Sequence, residues 1–322
     1  MSTLDPAAHK LLALMRQAAR PPFETLNPIS ARRAYAASWE VTQSPGGDVA
    51  SVRDTAIATS AGDLTLRVYR GHGTDPHKHL PCMVFLHGGG WVIGNLDSHD
   101  RMCRRLATVA GICVVAVDYR LAPEYPFPAA LDDAAMALQW VADHAELLLI
   151  QPAAIGVGGD SAGGNLAAVL ALMSRDGAAP PLAYQALLYP VVDLTASTES
   201  YRRVTSGLPL TAATMHYFIA HYTPDSKDRL DWRASPLRAA SLAGTAPALV
   251  LTVAHDPLCD EGRDYAHRLD QDGVRVAAVH HNDQMHGVLS QGRLVPAGQV
   301  IGDQVWTAIG HALHTAAADA LR

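Results

Sequence analysis

The stretch Gly158-Gly159-Asp160-Ser161-Ala162-Gly163-Gly164 decides the fold. An apolar run, Ala154-Ile155-Gly156-Val157, precedes it, and a run of helical character begins at Asn165-Leu166-Ala167-Ala168. Strand, glycine-flanked serine, helix is the setting that a G-x-S-x-G elbow requires. Gly159 and Gly163 remove side chains where the turn brings backbone against backbone, so Ser161 is expected at the tip of a sharp turn with its hydroxyl above the sheet. The start of the following helix presents unpaired N–H groups and a positive dipole end, both suited to a developing oxyanion.

Working outward, two stretches with period-two alternation, 52–58 and 64–69, predict an antiparallel pair at one edge of a sheet, joined by a turn at Ala61-Gly62-Asp63. Solid apolar runs follow at 82–86 and 112–117, then before Ser161, then at 184–189, 248–254 and 274–279, as expected of buried parallel strands. Helical stretches lie between them at about 98–109, 129–147, 162–174 and 260–271, with a last one at 298–320. This alternation predicts an α/β chain with a mostly parallel sheet of about eight strands and helices on both faces. The alternation breaks between Tyr189-Pro190 and Ser235-Pro236, where a helix-like run at 211–222 has no core strand beside it. The expected organisation is a catalytic part at 46–190 and 236–322, interrupted by an insertion at 191–235 that forms a helical cap. Residues 1–45 read either as a surface helix on the main body or as the N-terminal part of that cap.

The 322 residues are 49% hydrophobic and 17% charged, enough apolar content for a large core. A net charge of −6 without a clustered basic stripe speaks against nucleic acid as a partner. No run approaches the ~18 apolar residues of a membrane span, and the first residues lack the pattern of a signal peptide. Cys82, Cys103, Cys113 and Cys259 have neither metal-ligand nor disulfide-framework spacing. A cytoplasmic protein with buried free thiols is the expectation.

A serine hydroxyl is a weak nucleophile until a base takes its proton and a third group orients the base. On a strand–serine–helix elbow these partners follow in the order serine, acid, histidine, just beyond the ends of later strands. Asp256 follows the strand at 248–254 and is held by Pro257, whereas Asp260 and Glu261 read as first-turn residues of the next helix. His286 stands beyond the strand at 274–279, on a loop flanked by Gly287. The neighbouring His280, His281 and Asp283 do not complete a known metal-ligand spacing with it, so no metal is expected. His87-Gly88-Gly89-Gly90 follows the strand at 82–86. Its glycines let backbone N–H groups approach a substrate, and no phosphate-loop pattern follows. Gly88 and Gly89 N–H, with Ala162 N–H, are expected to form an oxyanion hole, each donor worth ~3 kcal/mol in the transition state. His87 reads as a loop anchor.

Six motifs in order, His87-Gly88-Gly89-Gly90-Trp91, Asp118-Tyr119-Arg120-Leu121-Ala122-Pro123-Glu124, Phe127-Pro128-Ala129-Ala130-Leu131-Asp132-Asp133, Gly159-Asp160-Ser161-Ala162-Gly163-Gly164, Asp256-Pro257-Leu258 and His286-Gly287, resemble the hormone-sensitive-lipase-like family of bacterial carboxylesterases within the α/β-hydrolases. The resemblance implies hydrolysis of short-to-medium acyl esters through an acyl-enzyme on Ser161, without a cofactor, under a cap built from the N-terminal segment and the 191–235 insertion. It implies that Glu124 braces the loops around the oxyanion hole, and it suggests a homodimer formed through the last strand and helix. Asp160 and Trp91 are expected beside the site, Trp91 lining it or covering the sheet edge. Two positions depart from the family pattern: Cys259 stands where Arg is usual and Val288 where Phe is usual. Related chains that have lost the histidine bind a small ligand without hydrolysis, and the same three residues also serve lactone or amide hydrolysis. The presence of His286 favours ester hydrolysis over the ligand-binding alternative.

Overall fold

The computed structural model describes residues 3–59, 61–320 and 322. Its apolar runs form eight strands: β1 (Val49–Thr59), β2 (Gly62–Gly71), β3 (Leu80–Leu86), β4 (Cys113–Val117), β5 (Ile150–Asp160), β6 (Tyr184–Leu188), β7 (Ala248–His255) and β8 (Val276–Met285). They lie in one sheet in the order β1-β2-β4-β3-β5-β6-β7-β8. β1 and β2 are antiparallel to each other, and β2 is antiparallel to β4. From β4 to β8 every pairing is parallel. The carboxyl ends of the parallel strands therefore share one edge, where loops after β3, β5, β7 and β8 can converge.

Period two sorts the core. Cys82, Val84 and Leu86 of β3 face one apolar cluster, while Met83 and Phe85 face the other. The first face is covered by α4 (Ala129–Asp143), α6 (Ala162–Arg175) and α9 (Cys259–Gln271), the second by α3 (Leu96–Ala110) and α10 (Pro296–Asp319). Among the described residues no helix is long and apolar enough to cross a membrane.

Two boundaries differ from the sequence expectation. The stretch expected as one helix over 129–147 divides at His144 into α4 and α5 (Ala145–Leu148), where the His144 backbone leaves helical geometry at φ −111° and ψ 26°. The last strand runs on through His280, His281, Asn282, Asp283 and Gln284, which the sequence presents as a loop, and pairs with β7 as far as Met285. β8 is an edge strand, and polar residues are at home there.

The N-terminal segment forms α1 (Pro6–Ala18) and α2 (Pro28–Thr42), and residues 191–235 carry α7 (Glu199–Arg203) and α8 (Ala212–Tyr222). Both segments touch residues at or beyond the carboxyl ends of strands, Met285 in one case and Trp91 in the other. Leu4, Leu11 and Leu12 pack on Met285 and Val295. The two segments meet where Thr214 Oγ1 donates to Glu24 Oε2 at 2.8 Å and the Phe23 and Phe218 rings approach to 6.3 Å.

Candidate active site

Ser161 sits between β5 and α6 at φ 55° and ψ −116°, a left-handed backbone that a serine adopts only under constraint. The constraint is the close approach of α6 to β3: a Cβ added to Gly163 would lie 1.8 Å from the Leu86 carbonyl oxygen. Ser161 N–H donates to Leu188 O at 2.8 Å, which ties the turn to β6.

His286 follows β8 directly. Its Nε2 lies 3.1 Å from Ser161 Oγ and its Nδ1 lies 2.7 Å from Asp256 Oδ2. Asp256, one residue past β7, is fully buried, and its other oxygen accepts Leu258 N–H at 2.9 Å. An ionised carboxylate accepts only, so Nδ1 carries the proton and Nε2 presents its lone pair to the serine hydroxyl. Tyr189 closes one side of the imidazole, its ring edge-on at 4.8 Å. Asp260 is directed elsewhere: it accepts Ser200 N–H at 2.7 Å from α7, with Arg203 3.9 Å away. That contact gives Asp260 a partner although Cys259 beside it is neutral. Glu261 is buried and receives Val192 N–H at 2.7 Å, fixing the chain as it leaves β6. Burial raises its carboxyl well above the usual range, against the pull of the Val192 and Asp193 N–H groups. Val288 is buried in the short 3-10 turn Val288–Ser290.

The glycine loop departs from expectation at one position. Gly88 N–H is committed to Asp160 Oδ1 at 2.9 Å, so it is not a free donor. The N–H groups of Gly89, Gly90 and Ala162 have no acceptor among the described residues. Gly89 and Gly90 hold φ of 123° and 58°. Trp91 also departs from a lining role: its side chain has no exposed surface and stacks on Tyr222 of α8 at 4.2 Å between centroids and 5° between planes. His87 is buried, its Nδ1 2.8 Å from Gly88 O and its ring stacked on Tyr119 at 4.1 Å.

Two residues with no local sequence signature of function hold this loop. Arg32 of α2 donates from Nε to Val92 O at 2.8 Å and from a terminal nitrogen to Ala122 O at 2.9 Å, and pairs with Glu124 at 2.6 Å. Glu124 thus meets the loop through Arg32, whose guanidinium holds its carboxyl below the ordinary carboxylate range. His99 of α3 lies 3.1 Å from Asp160 Oδ1. Its one sequence signal is register: 99, 102 and 106 share a helix face, and Met102 and Leu106 face the core. Among the described residues no group of three or more His, Cys, Asp or Glu side chains is arranged to hold a metal ion.

Residues 83–290 match the family model described as the alpha/beta hydrolase fold. The chain is 40% identical over 296 residues to the carboxylic ester hydrolase LipN of Mycobacterium tuberculosis, covering 90% of this chain and 78% of that protein. It is 39% identical over 278 residues to ethyl acetate hydrolase of Pseudomonas putida, covering 85% and 87%. Among solved structures it is similar to an alpha/beta hydrolase enzyme from the metagenome of Lake Arreo, with a TM-score of 0.92 and 38% identity over 97% of this chain and 99% of that one.

Proposed function

The chain belongs to the α/β-hydrolase family, in its hormone-sensitive-lipase-like branch, and from that premise we infer that it is a carboxylic ester hydrolase working through an acyl-enzyme on Ser161. One observation carries the assignment: the unbroken chain Asp256–His286–Ser161, with contacts of 2.7 and 3.1 Å. His286 Nε2 takes the proton as Ser161 Oγ attacks the ester carbonyl. The oxyanion is received by Gly89, Gly90 and Ala162 N–H, the groups left without an internal acceptor. Gly90 takes the place expected of Gly88. His286 then gives the proton to the leaving alcohol. A water repeats the sequence on the acyl-enzyme, and Asp256 holds the imidazole tautomer throughout.

Asp160 and Glu124 act on the reaction indirectly, by holding the glycine loop. The substrates are short-to-medium acyl esters that enter beneath the segments lying over the sheet edge. The identity to ethyl acetate hydrolase supports the short end of that range. Hydrolysis of p-nitrophenyl esters from acetate to dodecanoate tests the reading. Turnover is expected to be highest for the shorter acyl chains, and Ser161→Ala to lower kcat by about 10⁴-fold or more. Full activity of that variant would remove Ser161 from the mechanism.

A further inference from the structure

We propose that His99 is a positioning residue for ester hydrolysis: by gripping the Asp160 carboxylate it fixes the Gly88 peptide, and with it the glycine N–H groups that follow, relative to Ser161. The proposal rests on the assignment of Ser161 as nucleophile and extends it to a residue outside the reacting set.

The oxyanion donors come from two separate loops. Gly89 and Gly90 follow β3, whereas Ala162 follows β5. One oxygen links the two loops through side chains. Asp160 Oδ1, on the residue before Ser161, receives Gly88 N–H at 2.9 Å and lies 3.1 Å from His99 Nε2, which is itself 3.3 Å from the Gly88 nitrogen. There is little play in this contact, since a Cβ on Gly88 would lie 2.4 Å from Asp160 Oδ2.

A carboxylate so enclosed persists as an anion only with a partner. His87 is the other imidazole nearby, but its Nδ1 is engaged by Gly88 O. No lysine or arginine pairs with Asp160 among the described residues, so His99 is its direct side-chain partner. The His99 ring is fixed in turn. Its Nδ1 lies 2.9 Å from Ser98 Oγ, and Ser98 forms a reciprocal capping box with Asn95 at the start of α3. Ser98, His99 and Asp160 repeat the residue types of the reacting set, yet Ser98 and His99 are each only 1% exposed. No substrate reaches that serine, so this second array orients rather than reacts.

The groups facing Asp160 are His99 and Cys103 from α3, His87 from the loop, Tyr35 from α2, Tyr119 after β4 and Tyr189 after β6. Burial pushes the Asp160 carboxyl up. His99 leads the opposing effects, with Gly88 N–H and His87, and together they hold it below the ordinary carboxylate range. Removing His99 therefore moves the carboxyl upward, and the anion that grips Gly88 is lost at a higher pH.

The test compares wild type, His99→Leu and His99→Gln on p-nitrophenyl butyrate, with an alkyl trifluoromethyl ketone as the probe of oxyanion binding. His99→Leu is expected to lower kcat about 10- to 100-fold with KM within about twofold, since small misplacement of reacting groups has effects of that size. Affinity for the ketone is expected to fall by a similar factor. His99→Gln keeps a polar side chain beside Asp160 and Gly88 but no titratable group. It is expected to recover most of kcat at pH 8 while the acid limb of its kcat profile moves to higher pH. If His99→Leu fails to fold, His99→Gln carries the test through that profile. A profile superimposable on wild type, or a folded His99→Leu with unchanged kcat and ketone affinity, overturns the proposal. Either result beside an inactive Ser161→Ala rejects His99 alone, whereas an active Ser161→Ala rejects the nucleophile.

Discussion

His87 stands at the start of the glycine loop, buried, with its Nδ1 turned to Gly88 O and its Nε2 without a partner. Such a ring is folded in as the neutral imidazole, and burial, reinforced by His99, lowers its pKa to about 3. The unfolded chain takes a proton on this histidine near pH 6.5, while the native chain does not until about pH 3. Across that window the unfolded state holds the extra proton, so stability rises with pH and is lost as pH falls. One proton corresponds to about 1.4 kcal/mol per pH unit. Urea unfolding between pH 4 and 6.5 is expected to show this slope as a difference between wild type and His87→Asn, with wild type the steeper. At this scale the reading of the sequence is fullest where chemistry is local. Ser161, Asp256 and His286 each carry a motif and a strand end, and the structure brings them together. It falters at Gly88 because three consecutive glycines look alike in sequence. Which N–H is taken depends on Asp160, and that contact spans 72 residues.

Arg32 joins α2 to the segments that follow β3 and β4, all far apart in sequence. Its guanidinium satisfies Val92 O and Ala122 O as well as Glu124. Arg32→Gln removes all of these contacts, and unpaired carbonyls in a partly buried setting cost about 1–3 kcal/mol. Glu124→Gln leaves the carbonyl contacts in place. Because both side chains of the pair are substantially exposed, its loss is expected to cost under about 1 kcal/mol. Chemical denaturation of the two variants checks that order, which an isolated surface ion pair would reverse or erase. The element boundaries that sequence periodicity misses have physical causes too. The far half of β8 is polar because it is a sheet edge, and the division at His144 is marked by no glycine or proline. Arg32 is invisible to any local pattern, because a lone arginine on a helix reads as a solvated side chain until its partners are known.

On the scale of the whole molecule, the two faces of the sheet are so evenly covered that all four cysteines are buried and unpaired. Cys82 and Cys113 are cross-strand neighbours on β3 and β4. The contact with Cys113 and then burial push the Cys82 thiol up, burial pushes up Cys103, and burial brings Cys259 to about 11. Thiolate is the reacting form, so a disulfide reagent at pH 8 is expected to titrate less than about one thiol in the native protein. In denaturant it should titrate all four. Rapid reaction of native thiols would mean that the sheet opens far more readily than this packing implies.

Trp91 belongs to the loop that carries the glycine N–H groups, Tyr222 belongs to the helix lying over it, and their rings stack nearly parallel. The helix of the 191–235 segment is thereby joined by dispersion to the loop that carries the glycine N–H groups. Drift in that helix then reaches the loop through this pair of aromatic planes and through Phe218, whose ring lies against Gly90. A substitution at Tyr222 or Phe218 is therefore felt at the glycine loop as well as within its own helix.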